Sequence, residues 1–528
     1  MNDDHRNGGN DRERRGRHDR DGRPARGPRS RHGGDQPGGR EHGRQGTRRG
    51  ATRRDSADDR SRTTRAPRER AKDADPARRA AYDTLRTVAD SDSYANLTLP
   101  PMLRERRIAG RDAAFATELA YGTLRYQGRY DAIIGTVADR RLEQLDPPVL
   151  DVLRLGAHQL LAMRVPDHAA VSATVGLARS AVGAGSAQFV NAILRRIAER
   201  ELPEWLDIIT AELPEETDRL AVSSSHPAWI VRSMRQSLST TAEGSDDLPA
   251  LLEADNTAPA VTLVLRPGLA TDEDAPDSQP TRWAPTARTL THGDPGALEA
   301  VRSARAGVQD EGSQLVTLIA AAAPVDGPDA TWLDLCAGPG GKAALFGALL
   351  AERSPDGVLL ANEVSTHRAR LLDQSTAALR TVLPGLSIRT GDGREIGEEQ
   401  PGAFDRVLVD VPCTGLGALR RRPESRWRRS LSDLASLGPL QRQLLTSALN
   451  AARPGGVVAY VTCSPHLAET HAVVTDVLKR AEHAEVLDAV QIAEHVIGAP
   501  LPGQQGPYVQ LWPHRHGTDA MFLALIRR

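Results

Sequence analysis

Apolar residues follow three different regimes along this chain. Residues 1–70 contain no Val, Ile, Leu, Phe, Trp or Tyr. Such a segment cannot bury enough surface to offset its ordering entropy, so a disordered Arg/Gly/Asp-rich tail is expected over 1–74. From residue 75 apolar positions recur every three or four residues. AAYDTLRTVA, AAFATELAYGTLRY, YDAIIGTVA, PVLDVLRLGAHQLLAM, AAVSATVGLARSA and AQFVNAILRRIAER each form one apolar helical stripe. Pro147 and Pro148 open one of these runs, where a helix tolerates proline, and Gly110, Gly135, Gly183 and Gly185 punctuate the others. The pattern predicts an all-α bundle over 75–203. Beyond Leu202-Pro203 it becomes mixed, with a helix from His226, a strand over 258–267 and a Pro-, Asp- and Thr-rich loop over 271–294. A small α+β module or linker is expected over 204–305.

The remaining residues, 306–528, alternate short apolar runs with amphipathic ones. Strands are predicted at 331–335, 357–363, 386–392, 404–411, 456–464 and 520–528, with helical segments between them. Strands separated by helices imply an α/β domain, a parallel sheet with helices on both faces. Ligands bind such sheets at the carboxyl ends of the strands.

Composition adds a charge asymmetry. The 528 residues carry a formal net charge of −1, but residues 1–70 hold 21 Arg and 12 acids, leaving a basic arm on an acidic body. Such arms often meet nucleic acid, as a salt-dependent hook for phosphates. Lysine occurs only at Lys72, Lys342 and Lys479, so arginine is the default cation and its clusters carry less weight. No apolar run approaches the ~18 residues of a membrane span, and the first residues have no hydrophobic signal core. A soluble cytoplasmic protein is the default expectation. Cys336, Cys413 and Cys463 are odd in number and far apart, which argues against a disulfide framework or a CxxC zinc site.

The first strand of the α/β domain runs into Asp334-Leu335-Cys336-Ala337-Gly338-Pro339-Gly340-Gly341-Lys342. Glycines there allow close backbone approach to a ligand, but the spacing fits neither the dinucleotide fingerprint nor the P-loop. Glu363 closes the second strand, where an acid can bind a ribose diol. Asp392 ends the third, placed for an adenine amino group, and Asp410 ends the fourth. Three carboxylates would repel phosphates and welcome a sulfonium, so a nucleoside such as S-adenosyl-L-methionine suits this edge better than NAD or ATP.

Two thiols sit just past adjacent strands, in Asp410-Val411-Pro412-Cys413-Thr414-Gly415 and Val461-Thr462-Cys463-Ser464-Pro465. Arg420, Arg421, Arg422, Arg426, Arg428 and Arg429 follow Cys413, and an electropositive surround would lower its thiol pKa. Two thiols leave the ligand count short for a metal. Beside a methyl donor a thiolate has a clear use. Carbon 5 of a pyrimidine is a poor nucleophile until a thiolate adds to carbon 6 and makes the ring an enamine.

DLCAGPGGK, EVSTHR, GDG, DVPCTGLGALRRRPESRWRR, RPGG and TCSPH, in this order, resemble the RsmB-like (Fmu/Sun) RNA cytosine-5 methyltransferases over about residues 75–528. GVQDEGSQLV (307–316) resembles the segment that precedes the first catalytic strand, and 75–203 resembles the NusB-like RNA-binding domain of the rRNA-modifying branch. The resemblance implies a Rossmann-like class I methyltransferase domain acting on 16S rRNA. It implies Cys463 as nucleophile, Cys413 in product release and Asp410 at the target cytosine or the methyl-donor end. It also implies S-adenosylmethionine binding by Cys336, Ala337, Gly338, Pro339, Gly340, Gly341, Lys342, Glu363, Arg368, Asp392 and Asp410. Cys336 has no covalent role in this scheme. A tRNA substrate, a non-catalytic RNA-binding or antitermination factor, and DNA methylation with the Pro-Cys thiol as nucleophile are the competing readings. Ala520 stands where the family often has glycine.

Overall fold

The computed structural model describes residues 75–91, 93–241 and 244–528. The expected disordered tail lies outside them. Helices form at Pro76–Asp90, Ala95–Glu105, Gly110–Arg125, Gln127–Val137, Pro147–Leu161, Asp167–Ala181 and Ala184–Ile197. Asp75 caps the first by accepting the N–H groups of Ala77 (2.9 Å) and Arg78 (3.2 Å). Their apolar stripes meet in one core containing Leu99, Leu119, Ile133, Ile134, Val152 and Leu194. The second helix is not evident in the periodicity because Pro100 and Pro101 lie inside it.

The next segment differs from its sequence reading. Four short antiparallel strands, β1 (Thr262–Leu265), β2 (Ser278–Pro280), β3 (Ala287–Leu290) and β4 (Ala306–Val308), form a sheet in the order β2-β3-β1-β4. Two of them lie in the stretch expected to be loop. At three and four residues they are too short for alternation to register, and β2 exposes two of its three residues.

The last segment is the α/β domain. Its strands are β5 (Thr331–Asp334), β6 (Val358–Glu363), β7 (Gly385–Thr390), β8 (Phe404–Asp410), β9 (Ala452–Thr462), β10 (Glu485–Leu487), β11 (Val509–Gln510) and β12 (Phe522–Arg527). They run in the order β10-β12-β9-β8-β5-β6-β7, with β11 paired to β12. β5 to β9 are parallel, as the alternation predicts, whereas β12 is antiparallel to β9 and β10. The chain leaves β5 toward β6 and β7 and then returns to place β8 on its other side. That reversal opens a crevice at the carboxyl ends of β5 and β8.

Candidate active site

β5 delivers Asp334 to this crevice, and the glycine-rich loop turns from there into the helix Gly341–Arg353. A Cβ at Gly338 would lie 2.4 Å from Glu363 Oε2, so only glycine lets this backbone pass. Gly340 adopts a φ of +109°. Glu363, buried at the end of β6, accepts the N–H of Gly338 (3.2 Å) and of Ser365 (2.8 Å) and pairs with Arg368 at 2.6 Å. Asp392 lies two residues past β7 and caps the following helix through the N–H of Arg394 (2.9 Å), whose guanidinium lowers its carboxyl below the ordinary range. Cys336 is not poised for chemistry, because burial pushes its thiol well up.

Register brings the two sulfurs together. Asp410 of β8 pairs with Val461 of β9, and each cysteine follows its strand's last paired residue by two or three positions. Cys413 Sγ and Cys463 Sγ lie 3.3 Å apart. The hydrogen bond from Cys413 holds the Cys463 thiol below its ordinary value against burial and Asp410, with Lys342 and Arg422 acting in the same direction. That same bond, together with burial, pushes Cys413 well above its ordinary value.

Cys413 therefore does not carry the lowered pKa expected from the arginines behind it. Arg420 and Arg421 instead pair with Asp310 and Asp519. Arg426, Arg428 and Arg429 donate to backbone carbonyls.

Both cysteine loops are held rigidly. Glu469 accepts the Thr414 N–H (2.8 Å) and a Gln441 N–H (3.1 Å). Gly417 donates its N–H to the Cys463 carbonyl at 2.9 Å, and Ala520 donates its own to the Gly417 carbonyl at 2.8 Å. Lys342, in the first turn of its helix, reaches Asp410 Oδ2 at 2.8 Å. Burial works against its charge, yet Asp410 keeps the ammonium above its ordinary value.

One cleft of about 700 Å³ joins these parts, from Gly338, Glu363 and Asp392 to Asp410, Cys413 and Cys463. Its cofactor end has close backbone, buried carboxylates and arginines already paired to acids. That set fits a nucleoside bearing a sulfonium and offers nothing to a polyphosphate. Among the described residues no group of three or more His, Cys, Asp or Glu could hold a metal, and no helix is long and apolar enough to cross a membrane.

Three residues at the site have no role in the sequence reading. Asp334 closes β5 with both carboxylate oxygens buried and outside hydrogen-bond geometry. Tyr94 and Leu97 come from the helical domain to line the cleft. A buried acid after a strand could have marked the first. No local signal marks the other two, which reach the site only through folding.

The family model described as 16S rRNA methyltransferase RsmB/F matches residues 321–527, and the NusB family model matches residues 75–199. A putative methyltransferase of Mycobacterium tuberculosis (strain ATCC 25618 / H37Rv) is 49% identical over 469 residues, 88% of this chain and 99% of that protein. A probable ribosomal RNA small subunit methyltransferase B of Bacillus subtilis (strain 168) is 28% identical over 470 residues, 85% of this chain and 98% of the relative. The crystal structure of PH0851 shares the fold, with a TM-score of 0.69 at 20% identity, over 86% of this chain and 98% of that one.

Proposed function

Since the chain belongs to the RsmB/F family of S-adenosylmethionine-dependent methyltransferases, we propose that it methylates carbon 5 of a cytosine in 16S rRNA in the cytoplasm, through a covalent bond to Cys463. The observation that carries this reading is the asymmetry of the thiol pair, 3.3 Å apart, with Cys463 lowered and Cys413 raised. A nucleophile must be available as thiolate, and a partner that assists release must hold a proton.

When bound, S-adenosylmethionine supplies an electrophilic methyl on sulfur; the loop 336–342 with Glu363, Arg368, Asp392 and Asp410 would hold it. The Cys463 thiolate adds to carbon 6 of the cytosine, and the resulting enamine makes carbon 5 nucleophilic. Asp410, held by Lys342, contacts the ring and stabilises its activated form. After methylation the proton on carbon 5 leaves to a base, the Cys463–carbon 6 bond breaks, and Cys413 assists that release. The helical domain 75–203 binds RNA, and the module 204–305 joins it to the catalytic domain 306–528.

Cys463→Ala should abolish methyl transfer. Cys413→Ala should accumulate a protein–RNA adduct that survives denaturation, visible as a shifted band on a denaturing gel. Normal turnover by Cys463→Ala, or no adduct with Cys413→Ala, would overturn the assignment. Bisulfite sequencing of rRNA and tRNA from cells with and without the gene identifies the modified nucleotide and separates the two RNA classes.

A further inference from the structure

The arginines behind Cys413 do not share one task. Arg420 and Arg421 are ion-paired to Asp310 and Asp519. Arg426 is fully buried among carbonyls, and Arg428 and Arg429 are bonded to backbone oxygens. Arg422 is different. It is exposed, it lines the cleft that holds both thiols, and its guanidinium makes no ion pair or hydrogen bond with the described residues. Its guanidinium stacks on the ring of Tyr94, 4.6 Å from guanidinium carbon to ring centroid.

Tyr94 belongs to the helical domain, and the catalytic domain clamps the backbone on both sides of it. Arg428 donates to the carbonyls of Ser91 (3.2 Å) and Ser93 (2.7 Å), and Glu424 accepts the Ala95 N–H at 2.9 Å. The ring is thus fixed before any substrate arrives. It supports a planar cation whose side-chain donors are unpaired among the described residues, near enough to Cys463 for its charge to act on that thiol. A guanidinium in that state matches a phosphodiester, which takes two parallel N–H bonds from it.

Resting on the proposed RNA methylation, we infer that Arg422 binds a backbone phosphate beside the target cytidine, and that Tyr94 is the positioning residue that holds Arg422 in the cleft. The helical domain thereby supplies part of the substrate site itself.

The test uses the full chain, in vitro transcribed 16S rRNA and labelled S-adenosylmethionine. Arg422→Gln should raise KM for RNA by about tenfold, leave S-adenosylmethionine affinity unchanged, and lower kcat by a smaller factor, because its charge also favours the Cys463 thiolate. It should also lower the slope of log affinity against log salt by about one, as loss of one phosphate contact requires. Tyr94→Ala should weaken RNA binding in the same way, Tyr94→Phe should restore it, and adding Tyr94→Ala to Arg422→Gln should cause no further loss. An unchanged salt slope in Arg422→Gln, or additive losses in the double variant, would overturn the inference. A merely structural tyrosine would lower thermal stability and S-adenosylmethionine binding together. If the wild-type chain transfers no methyl to RNA the parent reading fails, while the salt slope measured by RNA binding still decides the role of Arg422.

Discussion

Asp334 shows how strongly one buried side chain can tie this site to pH. Burial first, and the neighbouring Asp410 second, push its carboxyl up from 3.8 to about 8, with Lys342 only partly opposing them. Its two oxygens are buried, and neither Lys342 nor the Cys336 N–H offsets that burial, so the folded protein keeps it protonated near neutrality. A carboxyl whose folded pKa lies above its unfolded value lowers stability as pH rises; the loss begins near pH 4 and is complete beyond about pH 8. Asp334→Asn should therefore be more stable than the wild type at pH 8.5 and nearly equal to it at pH 4. Thermal unfolding at the two pH values checks this, and an unchanged pH dependence would refute it. The motif around this aspartate is legible in the sequence, but its environment is not. Lys342 reads there as part of a cofactor loop, and its bond to Asp410, 68 positions away, depends on β5 and β8 becoming neighbours.

At the scale of elements, Gly417 joins the two cysteine loops. A Cβ there would lie 2.0 Å from the Ala520 carbonyl oxygen and 2.8 Å from that of Cys463, both backbone atoms that cannot swing aside. Gly417→Ala should cost about 1–3 kcal/mol in denaturant unfolding and depress methyl transfer further by displacing the nucleophile. The same substitution at Gly176, with nothing within 4 Å of its added Cβ, serves as the control. The parallel strands β5, β6, β8 and β9 are evident in the sequence because their cores are near-continuous apolar runs, whereas the edge strand β7 buries only Leu386 and is marked by its place between two helical segments. The helix Leu431–Ala451 is only half visible. Its apolar stripe, PLQRQLLTSALNAA, begins only at Pro439, yet the Ser430–Asp433 capping box starts the helix a full two turns earlier, and the proline is carried in its interior. β2 and β3 are missed for the opposite reason, since three or four residues hold too little pattern.

Across the whole molecule, the three parts of the chain meet on Arg426. Its guanidinium donates to the carbonyls of Arg125 (3.0 Å), Ser225 (3.2 Å) and Asp255 (2.8 Å) and to the Asn256 side chain (2.8 Å). The Asp255 carboxyl is buried beside it, raised by burial to about 7 despite the attraction of Arg426. Arg426→Ala would leave these acceptors unpaired in the interior and should cost on the order of 3 kcal/mol. Calorimetry should then resolve separate unfolding of the helical and catalytic parts, and a single unshifted transition would refute the role. The fold class of each part is legible from periodicity, and the family from its motifs. The junction is not, because each of its contacts spans 170 or more positions of sequence.

The stretch that follows Cys413 both fixes the thiol loop and grips carbonyls of the helical domain. The two halves are therefore not exchangeable cartridges. A transplanted RNA-reading module could work only if it brought the same pattern of backbone acceptors, so evolution of target choice here is confined to surfaces that leave this seam intact.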